Sequence, residues 1–322
     1  MKRFCALLLA LVMVCTVALA ASPEWSGVGY LDGVRLQSWD EGQVRNLVIP
    51  ATVYARAEGH IVSEELPVTA LAPRILSDEN AAAVVTVTLP TSVQEVDAAF
   101  SNCTALQAYL LDGESDCLAT TGGVLFTKDF KQLLAYPAAL EAASYNVPDG
   151  VEVIADDAFA NSLLKEIILP DTLTSVGEYA FADCALESIT LPDTLTSLGK
   201  YAFNNVQNLR SVTIPGTVSE IPSFCFYGCD QLESVTIEAG VTKIGPKVFS
   251  SAKLTELTLP DGVKEISINA FADCSNLKAI HIPASVETIG IHAIPEATTI
   301  YGVQDSVAWE YAVKNGCTFV AE

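Results

Sequence analysis

Residues 169–191 read Leu-Pro-Asp-Thr-Leu-Thr-Ser-Val-Gly-Glu-Tyr-Ala-Phe-Ala-Asp-Cys-Ala-Leu-Glu-Ser-Ile-Thr-Leu, and nearly the same string returns at once as Leu191 to Ile214. Aligning on the proline after each apolar run gives Pro90, Pro148, Pro170, Pro192, Pro215, Pro260 and Pro283, with Glu238 standing in for one proline. From Pro148 onward the step is always 22 or 23 residues. A unit this short cannot bury its own apolar face, so it must stack on its neighbours, and stability becomes collective.

The pattern inside one unit sets the expected geometry. In Leu186-Glu187-Ser188-Ile189-Thr190-Leu191, period-two alternation sends Ile189 and Leu191 inward and Ser188 and Thr190 outward, giving each coil one short strand. Pro192 to Gly199 turns the chain and buries Leu195 and Leu198; Tyr201-Ala202-Phe203 then makes a short helical or irregular turn. Phe159, Phe181, Phe203, Phe226, Phe249 and Phe271 recur there, so their rings should pile into a spine. The expected fold is an α/β repeat: a right-handed leucine-rich-repeat solenoid, with a parallel β-sheet on its concave face, short helical or irregular turns opposite, and a cap at each end.

Working outward, residues 21–84 are expected to form an N-terminal cap and first irregular coil, 85–298 the solenoid, and 299–322 a strand-helix-strand C-terminal cap. Asp305 or Ser306 can N-cap the closing helix and Gly316 suits its stop. Residues 110–146 interrupt the period; Val124-Leu125-Phe126-Thr127 and Leu133-Leu134-Ala135-Tyr136 flank Lys128 to Lys131 as the arms of a hairpin. Residues 1–20 read as a secretory signal: Lys2 and Arg3, an apolar run from Phe4 to Leu19, and Ala18-Leu19-Ala20 for cleavage. An exported chain with no integral membrane span after cleavage is expected, secreted or associated with the cell surface.

Against 39 acidic residues stand 17 basic ones, a formal charge of -22. That balance argues against nucleic acid or an anionic membrane as partner, since both would be repelled. Cysteine usage fits buried thiols rather than bridges. Cys103, Cys184, Cys229 and Cys274 take one repeat position, never in adjacent coils, and coils two apart stand roughly 10 Å distant at ~4.8 Å per strand. A disulfide needs Cα atoms within ~4.4–6.8 Å. Cys225 should behave likewise, leaving Cys117 and Cys317 as the candidates for reactive thiols.

Written out as Leu-Pro-x-x-Leu-x-x-Ile-Gly-x-x-Ala-Phe-x-x-Cys-x-x-Leu-x-x-Ile-x-Leu-Pro, the unit resembles the BspA-like leucine-rich repeats of bacterial surface and secreted proteins. Residues 259–283 carry the match closely through Leu259-Pro260, Ala270-Phe271, Cys274, Leu277, Ile280 and Ile282-Pro283. The similarity extends over about residues 45 to 322. It implies an extracellular, non-catalytic binding protein, since characterised relatives adhere to matrix proteins or other cells.

Outward strand positions form two columns that are the candidate ligand contacts: Glu166, Ser188, Ser211, Ser234 and Glu256 in one, Thr190, Thr213, Thr236, Thr258 and His281 in the other. Rows of hydroxyls can hydrogen-bond a protein or glycan, although threonine is also simply a good strand residue on a solvated face. Tyr179 and Tyr201 on adjacent coils raise the idea of sugar stacking, or of capping the phenylalanine turn. Asp149, Asp171 and Asp193 recur in consecutive coils at the ~5 Å spacing of a retaining glycosidase pair or a calcium ladder, yet each follows proline in a turn that favours aspartate for local reasons. With three histidines and no nucleophile, zinc or phosphate-loop motif, no enzyme, cofactor or metal is expected. The function expected is therefore a monomeric, exported binding or adhesion scaffold for an extracellular protein or glycan. A structural cell-envelope component is the first alternative, and a carbohydrate-active enzyme the more distant one.

Overall fold

The structure, a computed structural model, describes residues 25–30, 33–39, 44–57 and 60–322, with side chains for 44–52 and 67–322. The expected secretory signal lies outside the described residues, as do residues 31–32, 40–43 and 58–59 of the expected N-terminal cap.

Alternation produces the first wall of each coil. Strands run over Glu166–Ile168, Ser188–Ile189, Ser211–Ile214, Ser234–Ile237, Glu256–Thr258, Ala279–Ile282 and Thr299–Gly302. Ile167, Ile189, Val212, Val235, Leu257 and Ile280 are buried between outward neighbours. Pairing is parallel and one coil apart, as in Glu166↔Ser188, Ser211↔Ser234, Thr213↔Thr236 and Thr258↔His281.

A second wall was not anticipated. Each coil carries a further two-residue strand where only a turn was expected: Ser175–Val176, Ser197–Leu198, Glu220–Ile221, Lys243–Ile244, Glu265–Ile266 and Thr288–Ile289. These also pair in parallel from coil to coil. Two residues are too few for alternation to be visible in a sequence. At the corner that follows, Gly199 lies directly against the backbone of Gly177, and a Cβ there would overlap it. Glycine lets successive coils close to strand spacing at that point.

The third side carries the phenylalanine turn, and it takes the irregular rather than the helical form: no helix occurs between Ala81 and Val307. Two residues in each turn adopt positive φ. One column is Asp157, Tyr179, Tyr201, Phe224, Lys247 and Asn269; the other is Asn161, Asp183, Asn205, Gly228, Ser251 and Asp273. The alternation of left- and right-handed residues aims backbone N–H groups along the solenoid, so Asp157 N donates to Glu178 O at 2.9 Å and Phe159 N to Ala180 O at 2.7 Å.

Inside, the phenylalanines form the expected spine. Phe159, Phe181, Phe203, Phe226, Phe249 and Phe271 are wholly buried, with successive centroids 5.3, 5.0, 5.0, 5.6 and 5.7 Å apart. Tyr136 extends the file by stacking on Phe159 at 5.2 Å. Cys184, Cys229 and Cys274 lie beside it, each thiol donating to the carbonyl of a phenylalanine in the preceding coil: Phe159 at 2.9 Å, Phe203 at 3.2 Å and Phe249 at 3.0 Å. All seven cysteines among the described residues are free, and Cys103, Cys184, Cys225, Cys229 and Cys274 are buried.

Toward the N-terminus, Asn46–Val48, Thr86–Pro90 and Ala108–Asp112 form a parallel run of the first wall over a second apolar cluster that includes Leu47, Val87, Phe100 and Tyr109. Between the two clusters sits the interruption of the period. Val124–Thr127 pairs antiparallel with Gln132–Ala135, and a third strand, Leu118–Thr121, lies on its other side. Gln132–Ala135 then pairs in parallel with Val153–Ile154 and so starts the second wall of the regular array. At the other end, Ser306 accepts from Trp309 N at the start of the helix Val307–Asn315, Gly316 closes it at φ 75°, and Thr318–Ala321 returns as a parallel strand beside Thr299–Gly302. Among the described residues no helix is long and apolar enough to cross a membrane.

Candidate functional site

The two outward columns occupy one face of the first wall. Glu166, Ser188, Ser211, Ser234 and Glu256 share one row, and Thr190, Thr213, Thr236, Thr258 and His281 the next; all are exposed except His281, which is half-buried. At ~4.8 Å per strand each row runs for roughly 19 Å. Ile168 continues the threonine row at one end and stands 50% exposed.

What separates this face from the rest is the state of its hydroxyls. On the turns between the walls, Thr172, Thr194, Thr217 and Ser285 each donate to a carbonyl of the preceding coil, at Val151, Leu173, Leu195 and Val263. Beside the second wall Thr174, Thr196 and Thr242 do the same to Glu152, Thr174 and Ser219. Those side chains staple one coil to another. On the front face, by contrast, the hydroxyls of Ser188, Thr190, Ser211, Thr213, Ser234, Thr236 and Thr258 bond to nothing within the described chain. The same residue types thus serve as internal struts in some columns and as open donors and acceptors in another.

Two of the expected contacts are engaged within the chain. His281 places Nε2 3.5 Å from Glu256 and Nδ1 3.1 Å from Glu322, while its ring stacks on Tyr301 at 4.5 Å. Glu256 and His281 therefore join the last strands to one another, and the unengaged part of the face centres on residues 188–258. The surface ion pairs also run between adjacent coils, as in Lys165–Glu187 at 2.9 Å and Lys264–Glu287 at 2.8 Å. Exposed as they are, each contributes little to stability.

Tyr179 and Tyr201 stack on each other and not on open solvent. Their centroids are 4.6 Å apart, and Phe224 lies 4.6 Å beyond Tyr201 with Lys247 Nζ 5.6 Å above its ring. Both faces of Tyr201 are covered, which leaves only edges for a sugar. Asp149, Asp171 and Asp193 are exposed turn residues. Among the described residues no group of three or more histidine, cysteine, aspartate and glutamate side chains is placed to hold a metal ion. Burial pushes the thiols of Cys103, Cys184, Cys229 and Cys274 up to about 12, so they stay protonated and inert. Cys317 is half-buried and is also raised, chiefly by burial.

A stack of such coils defines a leucine-rich-repeat solenoid. Residues 136–253 and 198–303 match the family model described as BspA type leucine rich repeat region, in six copies, and the chain belongs to that family. Among solved structures it resembles a leucine-rich repeat protein from Eubacterium ventriosum, at 26% identity and a TM-score of 0.63 over 65% of this chain. The match spans 58% of that protein, less than two thirds of its length. The pneumococcal vaccine antigen PcpA is 17% identical with a TM-score of 0.47, covering 96% of this chain and 99% of that one. A leucine rich cell surface protein from Faecalibacterium prausnitzii is 18% identical with a TM-score of 0.40, covering 92% and 97%. No curated protein matches.

Proposed function

We propose that this protein is an exported, non-catalytic recognition scaffold, secreted or held at the cell surface, which binds an extracellular protein or glycan across the front face of its first wall. One observation carries the reading: hydroxyls at Ser188, Thr190, Ser211, Thr213, Ser234, Thr236 and Thr258 are exposed in two registered rows and engaged with nothing, while those of the turn columns are tied into the coil stack. A strip of hydroxyl-bearing side chains on registered strands suits a partner that presents repeated polar groups, and a strand-borne site is held more firmly than a loop-borne one. Export rests on the signal-like residues 1–20.

The test is an array of matrix proteins and glycans probed with the protein as a monomer, alongside Ser211→Lys/Thr236→Lys. Capture by the wild type and loss in the variant at unchanged melting temperature is the expected result. Capture that survives both substitutions contradicts the front-face site, and an array with no hits favours the structural envelope component.

A further inference from the structure

A difference in coil length makes a recess at the edge of the first wall. Four residues separate Phe159 from Leu164 and Phe181 from Leu186, whereas five separate Phe203 from Leu209 and Phe226 from Leu232. The turn that feeds the first wall is therefore one residue shorter in the earlier two coils. At this step lies a cleft of about 540 Å³, with Ala185 of the short turn on one side and Gln207, Asn208, Asp230 and Gln231 of the long turns on the other. Its volume falls within the roughly 300–1,000 Å³ of small-ligand sites. Glu187 and Arg210 also line it and immediately precede Ser188 and Ser211, so the cleft opens beside the front face.

The polar groups of the cleft are ordered by their partners. Its ionic side chains are compensated within the chain: Lys165 Nζ lies 2.9 Å from Glu187, and Arg210 faces Glu233 at 4.0 Å. Two amides are held from outside the cleft. Gln207 donates an amide N–H to Asn205 at 2.9 Å, and Gln231 accepts from Lys253 Nζ at 2.8 Å. That leaves the amide oxygen of Gln207 and the amide NH2 of Gln231 for a ligand. Asn208 and Asp230 are exposed, and their side chains make no hydrogen bond or ion pair among the described residues. Among the described residues Ala185 is the only apolar side chain in the lining.

We propose that this cleft binds a neutral hexopyranose, one sugar of a glycan whose chain continues over the serine row. A sugar hydroxyl both donates and accepts, which matches amides and a carboxylate set side by side. Charge points the same way. An anion would meet Asp230 and a protein of formal charge -22, and a cation would meet Lys165 and Arg210, whereas an uncharged ligand disturbs neither ion pair. The side chains of a peptide would find little more than the Ala185 methyl to pack on. A glycan in the cleft narrows the front-face reading and rests on it for the course of the chain beyond the first sugar.

The test is saturation-transfer NMR titration of the full chain with the methyl glycosides of glucose, galactose and mannose, and with β-linked oligomers of the same sugars. Methyl glucuronoside and acetyl-tetraglycine amide are the acidic and peptide probes. A neutral glycoside should bind, more tightly than the glucuronoside, and the peptide should not. Asn208→Ala/Asp230→Ala is expected to weaken that binding by roughly tenfold or more. The pair should melt as the wild type does, because the side chains it removes bond to nothing in the chain. Asp171→Asn, an exposed acid on another turn, should leave the affinity unchanged. The oligomer should bind more tightly than the single sugar, and Ser211→Lys/Thr236→Lys should remove that gain. A glycoside lost to the cleft pair, with no gain from the oligomer, supports the cleft and removes the front face. Oligomer binding that the cleft pair leaves unaltered and Ser211→Lys/Thr236→Lys abolishes does the reverse and overturns the proposal. So does the absence of binding by any neutral glycoside, tighter binding of the glucuronoside, or binding of the peptide alone.

Discussion

Phe203 and Phe226 lie face to face across adjacent coils, their centroids 5.0 Å apart and their rings within 3° of parallel. Phe226 also stacks on Phe249 at 5.6 Å, so one side chain joins three coils. Phe226→Ala should therefore cost about 3–5 kcal/mol, from lost burial and the cavity left behind. Because each coil touches only its neighbours, the loss should also split one thermal transition into two. Calorimetry checks this; a single transition shifted by a degree or two contradicts it.

Cysteine reactivity should follow burial. Cys103, Cys184, Cys225, Cys229 and Cys274 should resist alkylation in the native protein, and Cys117 and Cys317, half-buried, should be labelled first. Timed iodoacetamide labelling with peptide mass analysis reads this directly. Rapid native labelling of Cys274, whose thiol donates to Phe249 O, would show that the coil stack is loose there.

Tyr201 holds φ 58° between the rings of Tyr179 and Phe224. A left-handed backbone costs a non-glycine residue roughly 1–2 kcal/mol, a cost the two stacks offset. Tyr201→Ala removes the stacks and keeps the backbone cost, whereas Tyr201→Gly removes both. The alanine variant should therefore melt no higher than the glycine variant despite glycine's more flexible unfolded state, and the reverse order in a melting comparison would contradict this.

How much of this was legible depends on the length of the signal. The strand holding Ile189 and the phenylalanine file announced themselves through alternation and a fixed period, and the thiols through their absence from adjacent coils. The second wall did not, because Ser197–Leu198 and its equivalents are only two residues long. The left-handed column at Asn161, Asp183, Asn205, Gly228 and Asp273 had a readable signature, since asparagine, aspartate and glycine tolerate positive φ. The other column, with Tyr179, Phe224 and Lys247, had none. For the candidate face, the sequence placed Ser211 and Thr236 outward but could not distinguish them from Thr194 and Thr217, whose hydroxyls tie coils together. That difference lies in which carbonyl stands within reach. Likewise, nothing in the sequence draws Glu322 to His281, 41 residues away.

Acidity should affect stability through Asp157. Its folded-state carboxyl is raised to about 6, above the ~3.9 of an unfolded chain, so the protonated form is favoured by folding. This contribution is fully present below about pH 4 and is lost as pH rises through 6. Asp157→Asn should consequently raise the melting temperature at pH 7 and leave it nearly unchanged at pH 4. Equal effects at both pH values would contradict the raised carboxyl.

The central claim is a division of labour between two sets of threonines, and paired substitutions test it most directly. Thr213→Val/Thr236→Val on the front face should abolish partner capture and leave the melting temperature where it was, valine being as good a strand residue. Thr194→Val/Thr217→Val on the turns should lower the melting temperature, by about 1 kcal/mol per lost hydrogen bond, and leave capture intact. If the front-face pair destabilises the protein while capture persists, or the turn pair abolishes capture at full stability, the account is wrong.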